Sequence, residues 1–592
     1  INDTGPYLEN VLIAGNSTSC DGAGGGGGLY SNQSHPVLDN VTVIDNTSFL
    51  GGGIYVFNGT EIEIMNTIIA GNYPQSVHSA HNDNWSFDNT LTINYSNIEG
   101  LQDSIKLNGT ESSADDTSIA VATLNWGSGN IDVNPMFVDT ANGNYHLLAS
   151  SMLINAGHPD STDSDGTRSD IGAHPYLNTY SGPNWYVSGN GNDITATGGG
   201  TSSFRSIQSA INFASDGDQV SVASGNYFEN INFNGKNIVL GSLYLIHQDT
   251  SYISSTIIDG DESGTFVTFN SGEDSTSVLT GFTITNGNGT ILESHHSGTY
   301  GGGIICYYSS PTIDNVSIME NEADNGGGIY CYEYASPNLY NVTVKDNSAN
   351  SGAGILCLTH SSPNLKYVTI EGNSASIYGG GINCIDESSP SFEYVTIDGN
   401  SAERGGGIHC MWYANPEITN VIISNNSASE GGGIFCHNRA NPILLNVIIS
   451  ANDNDWSEPA SDSGGAGIVI STNSSVNLTN VTIAANEGLG ILDKYDDGQV
   501  NLVNSILWNN FESEINISEG SITATYSNIQ GGWEGEGNID SNPLFVDADN
   551  GDYRLSDYSP SIGAGTAIGA PSSDIDGNPR PNPENTNPDI GA

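Results

Sequence analysis

Asp160, Asp163 and Asp165 fall within one glycine-containing loop, Asp160-Ser-Thr-Asp-Ser-Asp-Gly, and Asp547, Asp549 and Asp552 form a similar cluster. Several carboxylate oxygens on a short, bendable segment suit a hard cation, so both clusters are expected calcium sites and calcium is the expected cofactor. Neither has the spacing of a full EF-hand loop; the plainer reading is a solvated acidic turn. Tyr307, Tyr330, Tyr332, Trp412 and Tyr413 come just after glycine runs, and outward-facing rings there are candidates for stacking on sugars. Aromatics also simply suit a β surface. Cys306, Cys331, Cys357, Cys384, Cys410 and Cys436 recur at one position and read as small buried hydrophobes. Vertical disulfides are the alternative, since neighbours about 5 Å apart are within bridging range, but in-register parallel strands orient the Cβ vectors poorly. A soft-metal row lacks a second recurring ligand. Seven cysteines in all leave one without a partner in any intrachain pairing.

Acid–base chemistry has little to draw on. Lys and Arg total 11 and are scattered, and His409 and His437 occupy different places in the repeat. Lys345 aligns with Glu371 and Asp398 and is expected to relieve a stack of carboxylates. Arg404 and Arg439 sit in turns. Asp and Glu total 67, for a formal charge of −56. That charge repels nucleic acid and anionic membranes, which removes both as partners, and attracts cations. No apolar run approaches the ~20 residues of a membrane-spanning helix.

These residues are positioned by a repeat. Segments of the form Gly-Gly-Gly-Ile-x-Cys, or Gly-Ala-Gly-Ile-x-Cys at Gly352, begin at Gly301, Gly326, Gly352, Gly379, Gly405 and Gly431, 25 to 27 residues apart. Each continues into Ser-Pro-x-Leu/Ile and then Val-Thr-Ile-x-x-Asn-Ser-Ala. Ile329, Cys331, Val342 and Val344 alternate with Tyr330, Tyr332, Thr343 and Lys345, the period of a strand with one buried face. A repeat of this length with strand periodicity predicts an all-β solenoid, one coil per repeat. Each coil holds three short strands, and parallel coils stack about 4.8 Å apart. The preferred hand of parallel crossovers predicts a right-handed parallel β-helix.

Stacking in register puts like over like. The six cysteines should form one inward file behind Ile304, Ile329, Ile355, Ile382, Ile408 and Ile434. Asn321, Asn347, Asn373, Asn400, Asn426, Asn452, Asn486 and Asn510 should form a second, because Asn tolerates a left-handed backbone and its amide can bond the Asn stacked above. The glycines allow a tight corner. Seventeen Asn-x-Ser/Thr sequons occur, among them Asn16, Asn58, Asn288 and Asn516. Many, such as Asn341 and Asn480, lie inside the coil motif, so structure accounts for them before glycosylation does.

The chain reads as two copies of one larger module. Asn134-Pro-Met-Phe-Val-Asp-Thr-Ala-Asn-Gly-Asn-Tyr returns as Asn542-Pro-Leu-Phe-Val-Asp-Ala-Asp-Asn-Gly-Asp-Tyr, and Asp170-Ile-Gly-Ala returns as Asp589-Ile-Gly-Ala. Residues 1–177 are expected to be the last coils and terminal segment of an upstream module, with coils at Leu29 and Ile54 and turn asparagines Asn16, Asn46 and Asn72. The sequence starts within this pattern and reads as a piece of something longer. Residues 178–184 are a linker. Residues 185–235 are the cap and first coils of the second module, with an amphipathic helix of about three turns from Phe204 to Ala214 covering the open end. Coils fill 236–530, wider between Lys236 and Asn288, with an acidic insertion from Asp453 to Asp462 and a pattern that decays after Asn510. Residues 531–592 form the terminal segment.

Trp185-Tyr-Val-Ser, Ser206-Ile-Gln-Ser-Ala-Ile, Gly217-Asp-Gln-Val and Gly225-Asn-Tyr together resemble the opening of pectate-lyase-like right-handed β-helix proteins. The Gly-Gly-Gly-Ile and Asn-Ser-Ala repeats are similar to those of polymorphic outer-membrane surface proteins. Asn542-Pro-Leu-Phe-Val-Asp, Asp574-Ile-Asp-Gly-Asn-Pro-Arg-Pro and Asp589-Ile-Gly-Ala resemble the choice-of-anchor domain of large secreted surface proteins. The resemblance implies an extracellular or cell-surface place. It also implies acidic-polysaccharide cleavage as the chemistry to check. A lyase needs a base beside the uronate and cations to hold the developing charge, and the cations here are few. A polygalacturonase-type hydrolase needs paired aspartates beside Gly-His-Gly, and no Gly-His-Gly occurs. The expectation is a non-catalytic stalk, adhesin or filament subunit whose partners are other copies of itself or surface glycans. A carbohydrate-binding surface module and a calcium-dependent polysaccharide lyase are the alternatives.

Overall fold

The computed structural model describes residues 5–18, 25–80, 88–107, 122–260, 264–292, 298–454, 465–494 and 497–592. Cys20 and all but the start of the acidic insertion, residues 455–462, lie outside them. The chain folds as two compact units, Ile1–Ala214 and Ser215–Ala592. Both are parallel β-solenoids.

In the second unit one sheet carries the cysteines. It runs in parallel through Ile304–Tyr307, Ile329–Tyr332, Ile355–Leu358, Ile382–Ile385, Ile408–Met411 and Ile434–His437. The register stacks Cys306, Cys331, Cys357, Cys384, Cys410 and Cys436 directly over one another as buried free thiols. The same file then continues as Ile470, Asp493 and Ile517. Ile304, Ile329, Ile355, Ile382, Ile408 and Ile434 bury alongside the thiols. A longer parallel sheet supplies the other walls, from Gln219–Val222 to Asn528–Ile529. Each coil therefore pairs with the next along three sides, and the apolar column between them is the core.

The asparagine file is continuous. Each Nδ2 donates to the next Oδ1 at 2.8–3.0 Å, from Asn321 through Asn347, Asn373, Asn400, Asn426, Asn452 and Asn486 to Asn510. The same Oδ1 atoms accept the backbone amide of the coil before, as Asn426 does from Asn400. The file ends where Glu514 takes the place of the next asparagine and accepts from both the amide and the side chain of Asn510. Asn16, Asn46 and Asn72 do the same in the first unit, whose coils pair Leu29 with Ile54. The glycine corner is tight: Gly405 has φ +66°, and a Cβ on Gly406 would come 2.5 Å from the Ser427 carbonyl.

Three features differ from the sequence expectation. The cysteine sheet is buried on both faces, because the Asn-Ser-Ala segments form their own four-stranded parallel sheet, Ser348–Ser351, Ser374–Tyr378, Ser401–Arg404 and Ser427–Glu430. Outward positions Ile305, Tyr330, Leu356, Asn383, His409 and Phe435 are consequently buried. The amphipathic segment forms a shorter helix, α1 (Ile207–Phe213), because Ser206 caps it by accepting from the Ser209 amide. Phe204 instead bridges to Val187. The stretch expected to hold wider coils carries two short helices, α2 (Tyr244–His247) and α3 (Ser251–Ser255). The first compact unit runs to Ala214, and near its end Asn212 donates to the carbonyls of Ala149 and Ser151 and Phe213 packs on Tyr176.

The duplicated motif has a structural counterpart in each unit. A short antiparallel hairpin, Phe137–Asp139 with Asn144–Leu147, or Phe545–Asp547 with Asp552–Leu555, leaves the last coil. The chain then folds back, and Asp-Ile-Gly-Ala docks as a strap on the side of the stack. Asn40 Nδ2 donates to the Asp170 and Gly172 carbonyls, and Gly172 donates to the Asn66 carbonyl. Asn480 Nδ2 donates to those of Asp589 and Gly591, and Gly591 to that of Asn504. The next amide, Ala173 or Ala592, donates to Thr42 or Thr482 Oγ1.

Candidate functional site

A cluster of titratable side chains lies between the cysteine sheet and the Asn-Ser-Ala sheet that covers it. Asn383 and His409 occupy the same outward row on adjacent coils. Asn383 Oδ1 lies 2.7 Å from His409 Nδ1, and Tyr378 stacks on the imidazole with centroids 4.9 Å apart. His409 Nε2 is buried with no hydrogen-bond partner. Burial, with His437 and Arg404 nearby, holds His409 well below the ordinary histidine range, so the ring is neutral. Beside it Glu430 accepts from Lys494 at 2.7 Å and pairs with Arg404 at 3.3 Å. A neutral, fully buried imidazole and two cations committed to one carboxylate give no base facing solvent. The cluster instead pins the covering sheet to the coils.

Two further lysines pair with acids as well. Lys345 pairs with Glu371 and Lys366 with Glu393, each on the next coil, and Asp398 continues the first row. Lys236 is another lysine that spacing alone did not single out. Burial lowers it to about 8 against the opposing pull of Asp216 and Asp218. Burial likewise pushes Asp170 up to about 8, although the Asn155 and Tyr176 amides both bond its carboxylate. Burial patterns of this kind are invisible in a sequence, because they depend on which coil or strap closes over the group.

The five aromatic candidates do not form one open strip. Tyr330 is buried, and Tyr307 and Tyr332 stack on each other at 5.6 Å and 8°, so each covers a face of the other. Trp412 and Tyr413 are exposed, with Arg439 lying over the Tyr413 ring. They occupy a two-residue left-handed turn, φ 51° and 64°, that recurs at Glu333–Tyr334 and Thr359–His360.

The acidic clusters are likewise spent locally. Asp163 accepts the Asp170 amide, Asp165 accepts those of Thr167 and Asn178, and Asp160 is exposed. Asp547 accepts from Asn550, and Arg554 holds Asp552 down at about 2, while Asp549 points to solvent. Among the described residues no three His, Cys, Asp or Glu side chains come close enough to hold a metal ion. Within the clusters expected to hold calcium, Asp163 and Asp165 accept turn amides and Asp552 pairs with Arg554, while Asp160, Asp547 and Asp549 are exposed.

The sequons divide by burial. Asn40, Asn46, Asn58 and Asn480 are buried, and Asn480 spends its amide on the strap, whereas Asn288, Asn341 and Asn516 are exposed. Among the described residues no helix is long and apolar enough to cross a membrane.

Residues 353–530 match the family model for the right-handed β-helix region, the hand expected from the crossovers. Among solved structures the chain is similar to the crystal structure of pectate lyase Pel9A. The two are 14% identical, with a TM-score of 0.37, over 69% of this chain and 95% of that one. No curated protein matches.

Proposed function

We propose that this chain is a non-catalytic structural part of an extracellular or cell-surface assembly, a stalk, adhesin or filament whose stacked coils serve as a stiff spacer. The observation that carries the reading is where the chemistry-bearing side chains go. Asparagines bond asparagines one coil away, lysines pair with acids one coil away, and the outward face of the cysteine sheet is roofed by the Asn-Ser-Ala strands. Such rows repeat coil by coil, so they stiffen the column and leave few groups for a substrate. The fold itself is compatible with many activities, so the argument rests on these residues and not on the architecture.

The competing reading is an acidic-polysaccharide lyase, with Lys236 as the amine of lowered pKa that could take a proton. Incubation of the full chain with polygalacturonate and alginate, with and without calcium, separates the two. The expected result is no release of unsaturated uronate, read by ultraviolet absorbance. Release that disappears in Lys236→Ala would replace the structural reading with the lyase.

A further inference from the structure

The terminal segment of the second unit does not lie flush on the coils. Between its hairpin and the side of the stack is a pocket of about 440 Å³, within the size range of small-ligand sites. Its walls include Tyr394, Ile422, Ile448 and Ile575, and its rim carries Asp552, Arg554 and Asp576. Ile448, Arg554, Ile575 and Asp576 also border a second hollow of about 260 Å³ beneath the strap.

Tyr394 sits at a left-handed corner, φ 56°, where other coils place Tyr367, Asn420 or Asn446. Tyr367 stacks on it at 5.2 Å and 9°, and Tyr340 meets Tyr367 edge-on at 5.4 Å. Tyr367 covers one face of the Tyr394 ring, Asn420 stands at the same corner on the next coil, and Tyr394 lines the pocket. The file of tyrosines ends there because the next corner residue is Asn420, also in the pocket wall.

We propose that this pocket binds a neutral pyranose residue of a glycan. A pyranose offers an apolar C–H face and a ring of equatorial hydroxyls. The Tyr394 ring and the isoleucines that line the pocket match the first. Asp576, Asp552 and the Asn420 amide match the second, with Arg554 donating from a position fixed by its ion pair to Asp552. The same electrostatics select against uronates: two carboxylates stand at the rim, the nearby arginine is already neutralised, and the whole chain carries −56. The site lies on a different side of the coil from the Trp412–Tyr413 turn.

Calorimetric titration of the full chain with cellohexaose, xylohexaose, mannohexaose and chitohexaose, and with hexagalacturonate as the anionic arm, tests this. At least one neutral oligosaccharide should saturate the protein. Tyr394→Asn should weaken it about tenfold or more, and it should fold normally because asparagine occupies the same corner at positions 420 and 446. Asp576→Asn should weaken it as well, and Trp412→Ala should leave it unchanged. Saturation by hexagalacturonate alone, retention of full affinity in Tyr394→Asn, or no saturation by any neutral sugar at millimolar concentration would each overturn the assignment.

Discussion

Asn400 shows how one residue type is used throughout the column. Its Oδ1 accepts the Asn373 amide and side chain, and its Nδ2 donates to Asn426 and to the Ile370 carbonyl, so a fully buried amide has every strong valence filled. His409 is the contrasting case, with one ring nitrogen on Asn383 and the other buried and unbonded. An unfolded histidine titrates near 6.5, whereas folded His409 is held well below that by burial, His437 and Arg404, with Glu430 opposing at His437. The unfolded chain therefore binds the extra proton first. Stability from this site is fully present above pH ~6.5 and is lost as pH falls toward the depressed value. His409→Phe, which copies Phe435 in the same row one coil on, should give a shallower fall in melting temperature below pH ~6.5 than the parent. Parallel acid slopes for the two proteins would show that His409 carries no such linkage. The histidine itself was legible in the sequence. Its burial was not, because nothing in the repeat spacing shows that the Asn-Ser-Ala segments form a sheet over it.

At the scale of elements, the strap is the feature with the most consequence. Ile590 is buried, and Gly591 has φ +104° with its hydrogens against Ile506 and Thr482, where a Cβ would come 2.8 Å from Ile506 Cδ1. Gly591→Val should unseat the strap through both the left-handed backbone and the contact. Limited proteolysis should then cut between residues 531 and 588 while the far-ultraviolet circular dichroism of the coils persists. Unchanged protease resistance would mean the hairpin holds the segment without the strap. The duplication of Asp-Ile-Gly-Ala was plain from the sequence. Its receptor was hidden, since Asn480-Val-Thr482 and Asn504 lie more than 80 residues from it and look like any other coil asparagines.

At the scale of the whole molecule, 67 acidic residues against 11 basic ones set the dominant electrostatic term, self-repulsion. Ion pairs between coils recover little, because exposed pairs contribute about 0–1 kcal/mol each. Adding salt up to about 0.15 M shortens the screening length to about 8 Å. The melting temperature should therefore rise with sodium chloride. A fall would mean that the rows of Lys345, Lys366 and Lys494 pairs outweigh the repulsion.

The sequence alone determined the solenoid, because strand period, coil length and the recurrence of Ile, Cys and Asn all follow from stacking like residues over like. It determined the file of six thiols, the asparagine file and the duplication of the terminal motif for the same reason: each is a local pattern repeated at a fixed interval. Only the tertiary structure decided which outward positions face water. The covering sheet removes Tyr330 and His409 from solvent, the strap occupies Asn480 and Asn504, and turn amides take the oxygens of Asp163 and Asp165. Each of these depends on a segment remote in sequence closing over a side chain, and repeat spacing carries no information about that.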